Sequence, residues 1–208
     1  MYAVGHFALG YLTGKIASKS LNINVNLPLL FFASIVPDID LLIHGLEHRG
    51  PLHSVIFFSV LFVPLLLLYR KSAVPYFVVV LQHLLIGDFL TGGAQLLWPL
   101  SVNLYGLHFG IANFANTAHE LGLFLVSIEV MFKTKDVLSL FKYNSSNMII
   151  SIPVVAVLLP TVISFPLYVP PLLLVPHIVY LTLFCFSILM DLKSILTKNR
   201  QKSSLPHL

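Results

Sequence analysis

The sequence predicts an all-α integral membrane protein: a bundle of about seven transmembrane helices forming one domain over residues 1–208. Of its residues, 57% are hydrophobic and only 10% are charged, whereas a soluble domain carries roughly 25% charged residues. The mean hydropathy is +0.91. Apolar runs of roughly 20 residues, the length that crosses a bilayer, recur along the chain and leave room for six or seven spans.

The first predicted helix covers about residues 3–19, and its small residues share one face with His6. Gly10 and Gly14 form a small-xxx-small pattern, which lets a neighbouring helix approach closely. His6 is therefore expected to point into the bundle. The second helix, about 27–44, contains Pro37, which should kink it. Asp38 and Asp40 lie about 200° apart on a regular helix, so both reach one site only if the helix is distorted.

Two further helices follow, at about 52–69 and 73–91. The third has Pro51 in its first turn, with His53 directly behind it. The fourth carries His83 and Asp88, which lie about 140° apart on a regular helix. Either the helix unwinds at Gly87, or a π-bulge re-aligns the two side chains, or only one of them is a ligand.

The remaining helices divide into one with polar candidates and two that are scaffold. The fifth helix, about 108–132, carries His119 and Glu120, and because they are adjacent at most one should face the site. The ligand-bearing part is thus about 1–132. The sixth and seventh helices, about 147–166 and 171–191, are apolar apart from His177, which we expect to be a buried, hydrogen-bonded histidine. A basic tail, 192–208, follows.

The positive charges predict the topology. With strict alternation of the spans, the lysines and arginines other than Arg49 fall on one side, which the positive-inside rule makes cytoplasmic. The N-terminus is then outside, the C-terminus is inside, and the protein is a multi-pass plasma membrane protein. These basic residues are topology signals, so they give no basis for nucleic-acid binding. A single cysteine, Cys185, excludes a disulfide within the chain and a cysteine-based metal site.

The stretch from Pro37 to Ser54 sets three histidines, two aspartates, a glutamate and an arginine between strongly apolar segments. Such groups are costly beside hydrocarbon unless something binds them. Carboxylates and imidazoles together are typical ligands of a divalent metal, here expected to be zinc, as one or two ions. Under the predicted topology the candidate ligands converge in the outer half of the membrane: His6, Asp38, Asp40, His48, His53, His83 and Asp88.

Three residues are candidates for direct roles in catalysis. A water molecule activated by the metal would be the nucleophile, and a spare carboxylate, Asp40 or Glu120, would accept its proton. Arg49, the only cation on the outer side, would clamp a phosphate, because a planar guanidinium matches phosphate geometry. Contact of Arg49 with lipid headgroups is the alternative. We therefore expect a phosphoester of a lipid or lipid-linked substrate, with membrane lipids as the partners.

Several short motifs in residues 5–100 resemble the YdjM-like family of membrane-bound metal-dependent hydrolases. They are Gly5-His6, Pro37-Asp38-Ile39-Asp40, His48-Arg49-Gly50-Pro51-Leu52-His53-Ser54, the run from His83 to Asp88 with Leu90-Thr91, and Leu97-Trp98-Pro99-Leu100. The resemblance implies a metal-dependent hydrolase and, more distantly, a likeness to the helical zinc-dependent phospholipase C enzymes. In the family pattern the fourth-helix pair is His-xxx-Asp, so the spacing of five in this chain is a departure.

Two other function classes stay open at this stage. Intramembrane Asp and His also mark ion pathways, which would make the protein a metal-ion or proton transporter. The inner halves of the first four helices are apolar, however, and a transporter needs polar groups that continue to the inner side. Alternatively, the metal only staples a structural membrane protein, in which case its ligand set would be closed. The chain has neither a HExxH motif nor a Gly-x-Ser-x-Gly motif.

Overall fold

The computed structural model describes residues 1–163 and 168–203, with side chains as far as 196. In this part the chain is helical, and its β-structure is one isolated bridge between Ala94 and Tyr105. The predicted tail begins inside the last helix; residues 204–208 and the side chains beyond 196 lie outside the described residues. The helices are α1 (Ala3–Ser20), α2 (Leu27–Ala33), α3 (Val55–Tyr69), α4 (Val74–Gln82), α5 (Phe114–Lys133), α6 (Asp136–Leu140), α7 (Asn147–Ile163) and α8 (Pro171–Ser203).

Helix α1 lies at the centre of the bundle and packs against α2, α4 and α5. Its two small residues allow this close approach. A Cβ atom added at Gly10 would lie 2.5 Å from the Ser34 Cβ, and one added at Gly14 would lie 2.5 Å from the Leu30 Cδ1. The small-xxx-small pattern therefore faces α2, and α1 brings His6 into the interior.

The apolar run Val55–Thr91 folds back on itself. It is long and apolar enough to cross a membrane, as is Pro171–Leu196, while Asn147–Ile163 is a shorter apolar helix. Arg70 has a positive φ of 50° at the end of α3, and the rings of Phe62 and Phe77 lie 5.0 Å apart. Fifteen residues of continuous helix would separate them by about 22 Å. Helices α3 and α4 are therefore an antiparallel hairpin.

The second predicted helix is broken rather than kinked. Helix α2 ends at Ala33, and a 3₁₀ segment, Val36–Leu42, follows with Pro37 near its start. Proline has no N–H to continue the ladder, so the α-helix ends before it. Helix α5 also differs from expectation, because it begins at Phe114 and the preceding residues form part of an irregular loop.

A polar cluster joins the ends of α1 and α5. The Tyr11 hydroxyl donates a hydrogen bond to Asp136 Oδ2 over 2.7 Å, and Lys15 Nζ lies 2.8 Å from the same oxygen. This places Lys15 and the basic turn after α5 at one end of the bundle. His6, more than two helical turns before Lys15, lies toward the opposite end.

Candidate metal centre

The 3₁₀ segment after α2 presents both of its aspartates to one histidine. Asp38 Oδ1 lies 3.3 Å from His53 Nε2, whereas Asp40 Oδ2 lies 3.2 Å from His53 Nδ1. All three side chains are buried. The carboxylates therefore approach opposite edges of the imidazole ring, and the break before Pro37 is the distortion that lets both reach it.

The stretch His83–Asp88, which continues α4, is a π-helix. Its hydrogen bonds run from residue i to i+5, so one turn contains an extra residue compared with an α-helix. His83 and Asp88 consequently lie on the same face, with His83 Nε2 3.2 Å from Asp88 Oδ2. The π-bulge alternative derived from the spacing of five is confirmed.

Four donor atoms from these two segments and His53 form a compact group. Asp38 Oδ1 lies 3.4 Å from His83 Nε2, and Asp88 Oδ2 lies 3.3 Å from His53 Nε2. Together with the two nitrogen–oxygen distances given above, every such distance in the group is 3.2–3.4 Å. Ligand bonds of about 2.0–2.1 Å around a tetrahedral zinc ion place neighbouring donors about 3.3–3.4 Å apart. The four nitrogen–oxygen distances therefore match the donor spacing around a tetrahedral zinc ion.

A hydrogen bond orients one histidine of this group, and a carboxylate lies near the far nitrogen of the other. His83 Nδ1 donates a hydrogen bond of 2.7 Å to the Ser34 carbonyl, which leaves the Nε2 lone pair free in the neutral ring. Asp40 occupies the corresponding position at Nδ1 of His53. A carboxylate or carbonyl at the far nitrogen is the usual partner of a metal-bound histidine. The position of Asp40 beside His53 Nδ1 is therefore that of a residue supporting a metal-bound histidine.

His6 lies directly against this group. Its ring stacks on that of His83 with the centroids 3.7 Å apart, and donor atoms of His6, Asp38 and His83 lie within 4.8 Å of one another. The buried atoms His6 Nδ1, His83 Nε2 and Asp88 Oδ2 have no hydrogen-bond partner. Each such atom costs roughly 1–3 kcal/mol when left unsatisfied, and His83 Nε2 and Asp88 Oδ2 belong to the group that could hold a cation.

His48 and Arg49 form the rim of the centre. His48 shares a third group of neighbouring donors with Asp38 and His53, and its Nδ1 lies 3.1 Å from Asp40 Oδ1. The guanidinium of Arg49 lies 3.3 Å from Asp88 Oδ1 and donates to the Thr91 hydroxyl. A side chain at Gly92 would overlap Arg49. The only cation predicted for the outer side therefore contacts a candidate ligand.

Glu120 is outside the groups of metal-type side chains found among the described residues. Its carboxylate accepts hydrogen bonds of 3.1 Å from the backbone N–H groups of Tyr2 and Gly5 and one of 3.0 Å from the Asn116 side chain. These N–H groups belong to the first turn of α1, where a carboxylate satisfies unpaired donors. Its place is thus that of a cap for α1, and the role of base assigned to it stays a prediction.

Replacing Glu120 by alanine tests this position. We expect the variant to unfold more easily by about 3 kcal/mol, because buried N–H groups lose a charged acceptor, while the zinc content of the folded protein stays at the wild-type level. Thermal unfolding in detergent and elemental analysis provide the two measurements. A stable variant that has lost only turnover would instead make Glu120 a catalytic base.

Two contributors were not anticipated from the sequence. Ser34 acts through its backbone carbonyl, and the only signal for it is Pro37, which ends the helix and leaves carbonyls of its last turn free. The Thr91 hydroxyl links Arg49 to the Gly87 carbonyl. His119 is exposed on α5, and His177 is buried and bonded to Thr161 and the Leu158 carbonyl, as predicted.

The comparison with protein families identifies the family of the chain. The model of the YdjM inner membrane protein family matches residues 1–170, which include every residue of the centre. No curated protein and no solved structure is significantly similar to the chain.

Proposed function

Because this chain belongs to the YdjM inner membrane protein family, we propose that it is a multi-pass inner-membrane enzyme that hydrolyses a phosphoester with a divalent metal ion. Zinc is the proposed ion, and a lipid or lipid-linked phosphate at the outer leaflet is the proposed substrate. The observation that carries the proposal is a buried set of two histidines and two aspartates whose four nitrogen–oxygen distances are 3.2–3.4 Å, with a guanidinium 3.3 Å from one of those aspartates.

The placement of the charges supports the proposed topology. We assign one pass each to α1, α2 with its 3₁₀ extension, α3, α4, α5, α7 and α8. The contact between Lys15 and Asp136 joins two of the basic regions at one end. The backbone N–H of Asn26 donates a hydrogen bond to the Tyr76 hydroxyl, which brings the loop after α1 to the α3–α4 turn with Arg70 and Lys71. Three basic regions thus share an end, which we take as cytoplasmic.

Each residue of the proposed site has a distinct task. Asp38, His53, His83 and Asp88 would hold the ion, with His6 beside them. When bound, a divalent ion acidifies water and polarises phosphoryl oxygens. Arg49 would bind a phosphate oxygen through guanidinium N–H groups that Asp88 and Thr91 leave free. Asp40 would hold a proton at Oδ1, which faces the half-exposed His48 and, through it, the water outside.

Turnover in the presence and absence of a chelator tests the proposal. Purified protein in nanodiscs should hydrolyse a phospholipid or a chromogenic phosphodiester, and a strong chelator should remove this activity while added zinc restores it. Elemental analysis of the same preparation gives the metal and its stoichiometry, which decides between one ion and two. Equal rates with and without chelator would exclude the metal mechanism.

Replacing Arg49 by glutamine should separate substrate binding from metal binding. We expect turnover to fall about 100-fold, because one preorganised donor to the phosphate is lost, while the zinc content stays near wild type. Replacement by lysine, which keeps the charge but not the planar fork, should give an intermediate rate. Loss of zinc in the glutamine variant would make Arg49 a structural residue.

The number of protein donors favours a second function, that of a structural metal site. Four protein donors would fill a tetrahedral ion, which is typical of structural zinc sites, whereas catalytic sites keep one position open. The metal would then staple the segment after α2 to His53 and to the π-helix. Under this alternative, the zinc-loaded protein is stable and inactive against every phosphoester, and a chelator changes its unfolding temperature alone.

A further inference from the structure

An apolar groove of about 550 Å³ lies between α2, α3 and α4. Its volume falls within the range of ordinary ligand pockets, roughly 300–1,000 Å³. The side chains of Leu61 and Leu65 line the groove and are 48% and 36% exposed, so the groove opens onto the outer surface of the bundle. It is an open surface groove and not a closed core cavity.

One end of this groove borders the metal centre. The lining residue Val36 begins the 3₁₀ segment that carries Asp38. Val80 lies less than one turn before His83 on α4. Phe58, another lining residue, donates its N–H to the carbonyl of Ser54, the neighbour of His53. Three separate segments of the centre thus continue directly into the groove wall.

The groove runs from the centre toward the basic end of the hairpin. From Phe58 to Tyr69, both of which line it, α3 advances about 16 Å. This is about half of the roughly 30 Å thickness of a bilayer's hydrocarbon core. The polar side chains of the lining lie in the part remote from the centre: Asn24, Tyr69, Ser72 and Tyr76. Elsewhere the lining is aliphatic or aromatic.

The surface around the groove identifies the medium it faces. Helix α3 exposes large apolar side chains, among them Val60, Leu67 and Leu68 at 67–75%, and it belongs to an apolar run long enough to cross a membrane. Such a surface is stable in contact with lipid tails and would be costly in water. What reaches the groove from this side is therefore hydrocarbon.

We propose that this groove binds one hydrocarbon chain of a lipid whose phosphate lies at the metal centre. The inference rests on the proposed function and assigns the substrate class: a phosphoester attached to a long alkyl or acyl chain that enters sideways from the bilayer. A guanidinium at the metal centre and an apolar groove that borders the same centre match the two parts of such a lipid.

Tryptophan substitutions on α3 can fill the groove without touching the centre. Leu61→Trp and Leu65→Trp place a large ring in the groove, and both positions are exposed enough to accept it. Leu68→Trp is the matched control, because Leu68 lies on the same helix, is 75% exposed and does not line the groove.

Two substrates separate chain binding from chemistry. In nanodiscs, the groove variants should hydrolyse dioleoyl phosphatidylglycerol about tenfold more slowly than wild type, a change typical of an altered apolar pocket. Their rates on bis(p-nitrophenyl) phosphate, which has no chain, should stay within about twofold of wild type, as should both rates of the control. Equal losses on both substrates, or no loss on either, would overturn the proposal.

A binding measurement keeps the groove testable if the proposed function fails. A phospholipid with a diazirine in one acyl chain should label residues 58–76 on irradiation, and Leu65→Trp should remove this labelling while Leu68→Trp retains it. If wild type hydrolyses neither substrate but this pattern holds, the hydrolase is wrong and the chain site stands. Labelling that Leu65→Trp does not change, or a second copy of the protein cross-linked through the groove, would overturn the chain site.

Discussion

Replacement of Asp38 by asparagine is expected to abolish metal binding and lower turnover roughly a thousandfold. Asp38 Oδ1 contacts both His53 Nε2 and His83 Nε2, so the change removes a negative charge from the middle of the donor group while keeping the side chain's shape. Loss of one partner from a buried charged group costs roughly 3–5 kcal/mol, which corresponds to about three orders of magnitude in a rate or binding constant.

Zinc content and unfolding temperature measure this effect independently of activity. Wild-type protein should lose thermal stability when a chelator is added, because a ligand that binds only the folded state stabilises it. The Asp38→Asn variant should show no such difference. Asp136→Asn is the matched control: it alters a hydrogen-bonded carboxylate at the other end of α1 and should leave the zinc content unchanged. Full zinc occupancy in Asp38→Asn would contradict the assignment.

Adding a single methyl group at Gly87 is expected to displace His6 and weaken metal binding at least about tenfold. A Cβ atom there would overlap His6 Cε1 and lie 2.9 Å from His6 Nδ1. The imidazole cannot move aside easily, because it is 1% exposed and stacked on His83. We therefore expect Gly87→Ala to destabilise the fold by about 1–3 kcal/mol, the usual cost of overpacking.

Gly122→Ala provides the control with the opposite sign. A Cβ atom at Gly122 meets no atom within 4 Å, and the residue lies inside α5. Alanine there should stabilise the helix by about 0.5–1 kcal/mol through its higher helix propensity. Thermal unfolding and zinc analysis of the two variants give the comparison. Unchanged or raised stability and full zinc content in Gly87→Ala would show that the site around Gly87 can relax and would contradict the prediction.

Much of the candidate site was predictable because its signals are local. Polar residues among long apolar runs identify His6, Asp38, His53, His83 and Asp88 without any structure. The five-residue spacing between His83 and Asp88 even indicates a π-bulge as one way to align them, since a regular helix would point them apart. The structure brings all five together, and their role as ligands remains a prediction for the zinc measurements above.

Other assignments depended on contacts that a single segment does not encode. Asp38 and Asp40 are equivalent in sequence, yet one meets Nε2 of His53 and the other Nδ1. Glu120 has the chemistry of a catalytic base, but the start of α1 occupies its carboxylate. The break after α2 also escaped the helical pattern, because apolar residues continue across it.

Hydropathy, charge placement and residue type determined by themselves that this is a helical membrane protein with metal-type side chains between His6 and Asp88. These properties belong to individual residues and short runs, so they can be read one segment at a time. Only the tertiary structure decided which donor atoms face one another, that α3 and α4 form a hairpin, and that a groove begins beside the centre. Each of these is a relation between atoms of distant segments, and packing alone establishes it.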